Sequence, residues 1–220
     1  AYKHLDGTDL NIKEGTVSLA ESFINTSKGI NSITLPSTLR ILGKESLKNA
    51  AFTSIDLPES LEKIGEGAFA AGDGGSSNLR RITIPKNVKI IESGAFYGTP
   101  LVRVYYNAVD ANNEYVEHTD GTSAYERIFP ESVTRIIIGE GVKSIPNSLF
   151  DGCKNITRVE MPSTVESFGE YAFNGCTSLS HIDLPSSLKE IGKYAFNGCA
   201  LQSVTSYMKE PFVLGEASVQ

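Results

Sequence analysis

Apolar residues recur along the chain in a fixed order: two that are two residues apart, then two that are three apart, then a small residue beside a large one. From Ile182 the order reads Ile182 and Leu184, Leu188 and Ile191, Ala195 and Phe196. A spacing of two is the mark of a strand with one buried face. Pro follows the strand in five places, at Pro36, Pro58, Pro85, Pro162 and Pro185. A residue without an amide proton ends a strand ladder there. Counting the first strand residue as position zero, Gly stands at position ten as Gly43, Gly65, Gly169 and Gly192, which predicts a left-handed backbone angle at that point. At positions thirteen and fourteen come Ala68-Phe69, Ala95-Phe96, Ala172-Phe173 and Ala195-Phe196, with Leu149-Phe150 and Ser46-Leu47 as variants. The small residue lets each ring lie close to the backbone of the neighbouring layer.

The order is an internal repeat, visible when MPSTVESFGEYAFNGC from Met161, LPSSLKEIGKYAFNGC from Leu184 and LPESLEKIGEGAFAAG from Leu57 are written together. Units start near Ile12, Ile33, Ile55, Ile82, Val104, Ile136, Val159, Ile182 and Val204, so one domain spans residues 1–220. One unit has too few apolar residues to fold alone, but stacked units share backbone hydrogen bonds and cover one another's apolar rows. The predicted fold is an α/β repeat: a right-handed solenoid with a parallel sheet on its concave side and short helical or 3₁₀ turns opposite. Two units are enlarged, by a Gly- and Ser-rich stretch near 70–78 and by a polar excursion near 107–127, after which Phe129 returns to the core. The segment 206–220 is read as a tail that caps the last layer or leads into further chain.

The pattern LPxxLxxIGxxAFxxC, as it stands from Leu184, resembles the BspA-like leucine-rich repeats of bacterial surface proteins. The resemblance covers about Leu10 to Val204. It implies a secreted or surface-attached protein that uses the array to bind host proteins, matrix or other cells.

Charge narrows the partners. Twenty Lys and Arg against 26 Asp and Glu give a formal net charge of −6, which argues against duplex nucleic acid or an anionic membrane, since both favour basic surfaces. No apolar run approaches the roughly 18 to 20 residues that span a bilayer. No charged-then-apolar leader precedes the repeats, so any export signal lies outside this sequence.

Residues flanking the buried strand positions point away from the core. The column before position zero holds Arg81, Arg103, Arg135 and Arg158 in succession, then His181 and Ser203; the column after it includes Tyr105, Ile137, Glu160 and Asp183. Arg and Tyr are residue types that anchor interfaces, and Ile137 stands exposed among them. The alternative is a solvated face whose Arg pair with Glu160 and Asp183. His181, Asp183 and Ser203 lie close enough on this face to imitate a catalytic triad. A flat sheet offers no oxyanion pocket and little exclusion of water, so we read a solvated His beside Asp.

Other candidates reduce to structure. Cys153, Cys176 and Cys199 repeat every 23 residues, where Ala50, Gly72 and Thr99 stand in other units, so they are buried filler rather than metal ligands or a CxxC pair. The run GDGGSSN from Gly72 lacks the Lys and Ser/Thr of a phosphate loop. Asp110 to Asp120 is acidic but has no EF-hand spacing, and His4, His118 and His181 lie far apart in the array. The expectation is therefore a monomeric, non-enzymatic extracellular recognition or adhesion module with no cofactor or metal and no catalytic residues. It binds an extracellular or host protein through Arg81, Arg103, Tyr105, Arg135, Ile137 and Arg158, with the loop from Asn107 to Tyr125 as second choice. The alternative is a glycan-binding or spacer domain of the cell envelope, for which Tyr105, Tyr106, Tyr115 and Tyr125 are the clustered aromatics.

Overall fold

The computed structural model describes residues 9–24, 30–72, 77–111, 127–208 and 213–214. Among them the chain is a parallel β-solenoid of the right-handed type. One series of strands starts the repeats: Asp9–Asn11, Ser32–Thr34, Arg81–Ile84, Arg103–Tyr106, Arg135–Ile138, Arg158–Glu160, His181–Leu184 and Ser203–Ser206. Every ladder within it is parallel. Alternation sets its two faces, as in Arg81–Ile84, where Ile82 and Ile84 are buried and Arg81 and Thr83 exposed.

A second series was not foreseen. Two-residue strands lie at positions eight and nine of the repeat, running from Ser18–Leu19 through Ile41–Leu42 and Lys63–Ile64 to Ile90–Ile91. It resumes at Ser144–Ile145 and continues through Ser167–Phe168 and Glu190–Ile191 to Val213–Leu214, which stands one position later in its unit. Position nine is buried in Leu19, Leu42, Ile64, Ile91, Ile145, Phe168 and Ile191. Only one buried residue per strand faces the core, so periodicity gave no alternation to detect.

The expected helical or 3₁₀ turns are absent: no described residue is helical, and the described part is all-β rather than α/β. Hydrogen bonding explains the difference. In the turn after Gly43, the Ser46, Lys48 and Ala50 amides donate three residues back, to Gly43, Glu45 and Leu47 carbonyls. The intervening Leu47 and Asn49 amides donate instead to Ala68 and Ala70 of the next layer, both at 2.8 Å. A turn that gives every second amide to its neighbour cannot close a continuous helix.

Three further expectations change. The first layer starts two residues earlier than Ile12, since Leu10 pairs with Ile33. This restores a full-length first repeat and, being a shift of two, leaves Asn11 on the outer face, with Asp9 beside it. The position-ten glycines are not left-handed; positive φ falls at positions twelve and sixteen instead, as at Tyr171 (57°) and Gly175 (68°). Gly is needed at position ten for close approach, because a Cβ on Gly192 would lie 2.6 Å from the Gly169 carbonyl carbon. Finally, Ile55 is buried but forms no ladder. The side-chain amide of Asn78 donates to the Ala51 carbonyl (3.1 Å).

The core is columnar. Phe69, Phe96, Phe129, Phe150, Phe173 and Phe196 stack face to face at successive centroid distances of 5.1, 5.1, 5.5, 5.3 and 5.4 Å. Phe129 returns to this column after the long excursion, as expected. The Cys column lies beside it with all three thiols free. Their S–H groups donate to the Phe129, Phe150 and Phe173 carbonyls at 3.7, 3.4 and 3.2 Å.

Candidate functional site

Parallel pairing in register places like positions of successive layers beside one another. Arg81 pairs with Arg103, Arg103 with Arg135, and Arg135 with Arg158. On the same face two residues on, Thr83, Tyr105, Ile137 and Glu160 form a second row. These four strands make one unbroken sheet, and the long series is interrupted on both sides of it. The Arg stripe therefore spans the full width of one rigid sheet, with neighbouring strands about 4.8 Å apart.

The side chains are not equivalent. Arg81 and Arg158 are exposed, while Arg103, Arg135, Tyr105 and Ile137 are half-buried. Ile137 is thus less open than the sequence led us to expect, because side chains stand on both sides of it in the row. The Glu160 carboxylate lies between two guanidinium groups, accepting from Arg135 Nε at 2.6 Å and facing Arg158 Nε at 3.2 Å. Arg103 donates to the Tyr105 hydroxyl at 3.4 Å. Neither Arg81 nor Arg103 has an acidic partner among the described residues. Solvation of the stripe by internal acids therefore reaches half of it. Asp183, the other acid considered for pairing with Arg, contacts His181 instead.

His181, Asp183 and Ser203 do come together. His181 Nδ1 is 2.7 Å from Ser203 Oγ, and Nε2 is 3.0 Å from Asp183 Oδ1. The His181 and Asp183 side chains are 46% and 53% exposed, so water competes for every proton position and the Asp charge is screened.

Elsewhere the polar candidates give structure. Burial pushes the Cys153 thiol up to about 12, far from a reactive or metal-binding thiolate. Cys176 is also raised, by the neighbouring Cys199 thiol and by burial. Among the described residues no three His, Cys, Asp or Glu side chains converge as a metal site. Tyr106 is lost as a sugar-stacking candidate: it is position two of its strand, fully buried against Phe150. Tyr115, Tyr125, His4, His118 and most of the 107–127 excursion lie outside the described residues, as do residues 73–76. A concavity of about 440 Å³ lined by Val17, Thr38, Arg40, Ser60, Glu62, Asn87 and Lys89 lies at the start of the short-strand series and includes none of the stripe residues. Among the described residues no helix is long and apolar enough to cross a membrane.

Three solved structures of bacterial proteins are similar to this chain. A leucine-rich repeat protein of Bacteroides ovatus has 23% identity and a TM-score of 0.39, with 93% of this chain and 68% of that one covered. One from Eubacterium ventriosum has 22% identity and a TM-score of 0.45, covering 92% and 54%. A leucine-rich cell surface protein of Faecalibacterium prausnitzii has 20% identity and a TM-score of 0.33, covering 93% and 60%. No curated protein matches. Six copies of the BspA type leucine rich repeat region match residues 1–118 and 121–210, and the chain belongs to that family.

Proposed function

We propose that this chain is a non-catalytic recognition module at a bacterial cell surface, and that it docks an extracellular protein on the sheet face bearing Arg81, Arg103, Tyr105, Arg135, Ile137 and Arg158. The observation that carries this reading is the register of one unbroken four-stranded sheet, which holds four Arg in a row. Backbone ladders fix that row before a partner arrives, so little ordering entropy remains to be lost on binding. Arg and Tyr are also the side chains that most often carry interface energy. Membership of a family of surface repeat proteins supports the location and the non-enzymatic role.

A screen of immobilised extracellular proteins and a glycan array tests the proposal, with wild type and the Arg103→Glu/Arg135→Glu variant run side by side. The expected result is a protein ligand whose binding falls at least about a hundredfold in the variant, the range set by losing central interface Arg. Equal binding by the two would favour a spacer whose faces are merely soluble, and hits confined to the glycan array would favour a sugar ligand.

A further inference from the structure

Resting on that reading of the Arg-bearing face, we infer that Arg81 and Arg103 form a vacant carboxylate site, and that the partner supplies an Asp or Glu side chain from an acidic protein segment. The solenoid contains its own reference for this chemistry. Arg135 and Arg158 are neighbours across one ladder, and Glu160, two residues beyond Arg158, sets its carboxylate between them. Arg81 and Arg103 are neighbours across another ladder of the same sheet, and Tyr105 stands two residues beyond Arg103. The two trios occupy equivalent backbone positions and differ in one side chain. Where the first has a carboxylate, the second has a phenol that receives a single long hydrogen bond of 3.4 Å from Arg103.

Guanidinium groups on adjacent strands are spaced so that one carboxylate reaches both, as Glu160 does. Charge-assisted bonds of this kind are about twice as strong as neutral ones. Since neither Arg81 nor Arg103 has an acidic partner among the described residues, an incoming carboxylate displaces water rather than an internal acid. At the other end of the stripe Glu160 holds that place already. Half-buried Ile137 follows Tyr105 in the row, so an apolar side chain next to the partner's carboxylate has a surface to cover. The internal reference favours a carboxylate, hence an acidic polypeptide, over the sulfates of a glycan.

The test uses fluorescence anisotropy with the full chain and a labelled ten-residue peptide in which Glu alternates with Ser and Leu, with a heparin decasaccharide as the rival probe. Tyr105→Glu supplies the missing internal carboxylate and should bind the peptide at least about tenfold more weakly than the uncharged Tyr105→Gln; both variants lose the Tyr105 ring, so the difference between them reads occupancy of the guanidinium pair. Glu160→Gln should strengthen binding at least about threefold by vacating Arg135 and Arg158. Equal peptide affinity in Tyr105→Glu and Tyr105→Gln, or binding of heparin without binding of peptide, overturns the inference. If the peptide fails while a screened protein still loses affinity with Arg103→Glu/Arg135→Glu, the docking face stands and the carboxylate site alone is wrong.

Discussion

Two buried side chains, Tyr106 and Cys153, give opposite lessons about polarity in the column. The Tyr106 hydroxyl has no hydrogen-bond partner among the described residues, and burial raises its pKa because the phenolate would be desolvated. Its loss therefore removes a cost. Tyr106→Phe should leave stability unchanged or raise it by about 1 kcal/mol in urea unfolding. Cys153 has a partner in the Phe129 carbonyl and stays protonated in the folded chain up to about pH 12, against an ordinary thiol value of 9.0. Between those values the unfolded state releases the proton and the folded state does not. Its share of stability is thus complete below about pH 9 and declines by about 1.4 kcal/mol per pH unit above it. Replacing Cys153 with Ala should flatten that alkaline decline, read from unfolding curves between pH 8 and 11. At neutral pH, half-buried Cys199 should react with a thiol reagent before Cys153 and Cys176, which react on unfolding.

Turns and strands show what the sequence pattern carried and what it did not. Long strands were legible because Ile182 and Leu184, or Ile82 and Ile84, alternate with polar neighbours. The face of Arg81, Arg103, Arg135 and Arg158 followed from the same alternation. Short strands such as Lys63–Ile64 hold a single inward residue, and their ladder is a product of stacking rather than of local pattern. Helix was expected opposite the sheet because closely spaced apolar pairs such as Ala172-Phe173 fit a turn as well as a helix. The Tyr171 and Phe173 amides settle the matter by bonding to Lys193 and Ala195 of the next layer. Glycine at position ten was legible as a requirement, but its cause was misread: contact between layers, not backbone angle. Gly192→Ala should accordingly cost about 1 to 3 kcal/mol through steric overlap with Gly169. The bridge made by Glu160 was foreseeable from its column, and so was His181 beside Asp183, which the same alternation sets two residues apart on one face.

Across the whole solenoid, almost every contact joins a layer to its neighbours, so the chain behaves as a one-dimensional array. Phe129 tests that description, because among the described residues it bridges the phenylalanine column across the excursion, stacked on Phe96 and Phe150. Phe129→Ala should cost about 3 to 5 kcal/mol. In-frame removal of residues 159–181, one full repeat, should keep a β circular-dichroism spectrum and cooperative unfolding, while removal of 159–169 should abolish both. Surface ion pairs between layers, such as Arg40–Glu62 and Lys189–Glu166, add little to this, since exposed pairs are worth about 0 to 1 kcal/mol each. They do offer a control for function: Arg40 and Lys89 border the concavity of the short-strand series and not the Arg stripe. The decisive measurement is the affinity of an extracellular protein ligand for two charge-reversed forms, Arg103→Glu/Arg135→Glu and Arg40→Glu/Lys89→Glu. Loss of binding in the first with retention in the second is the predicted result; retention in the first, or equal loss in both, would contradict docking on the four-stranded sheet.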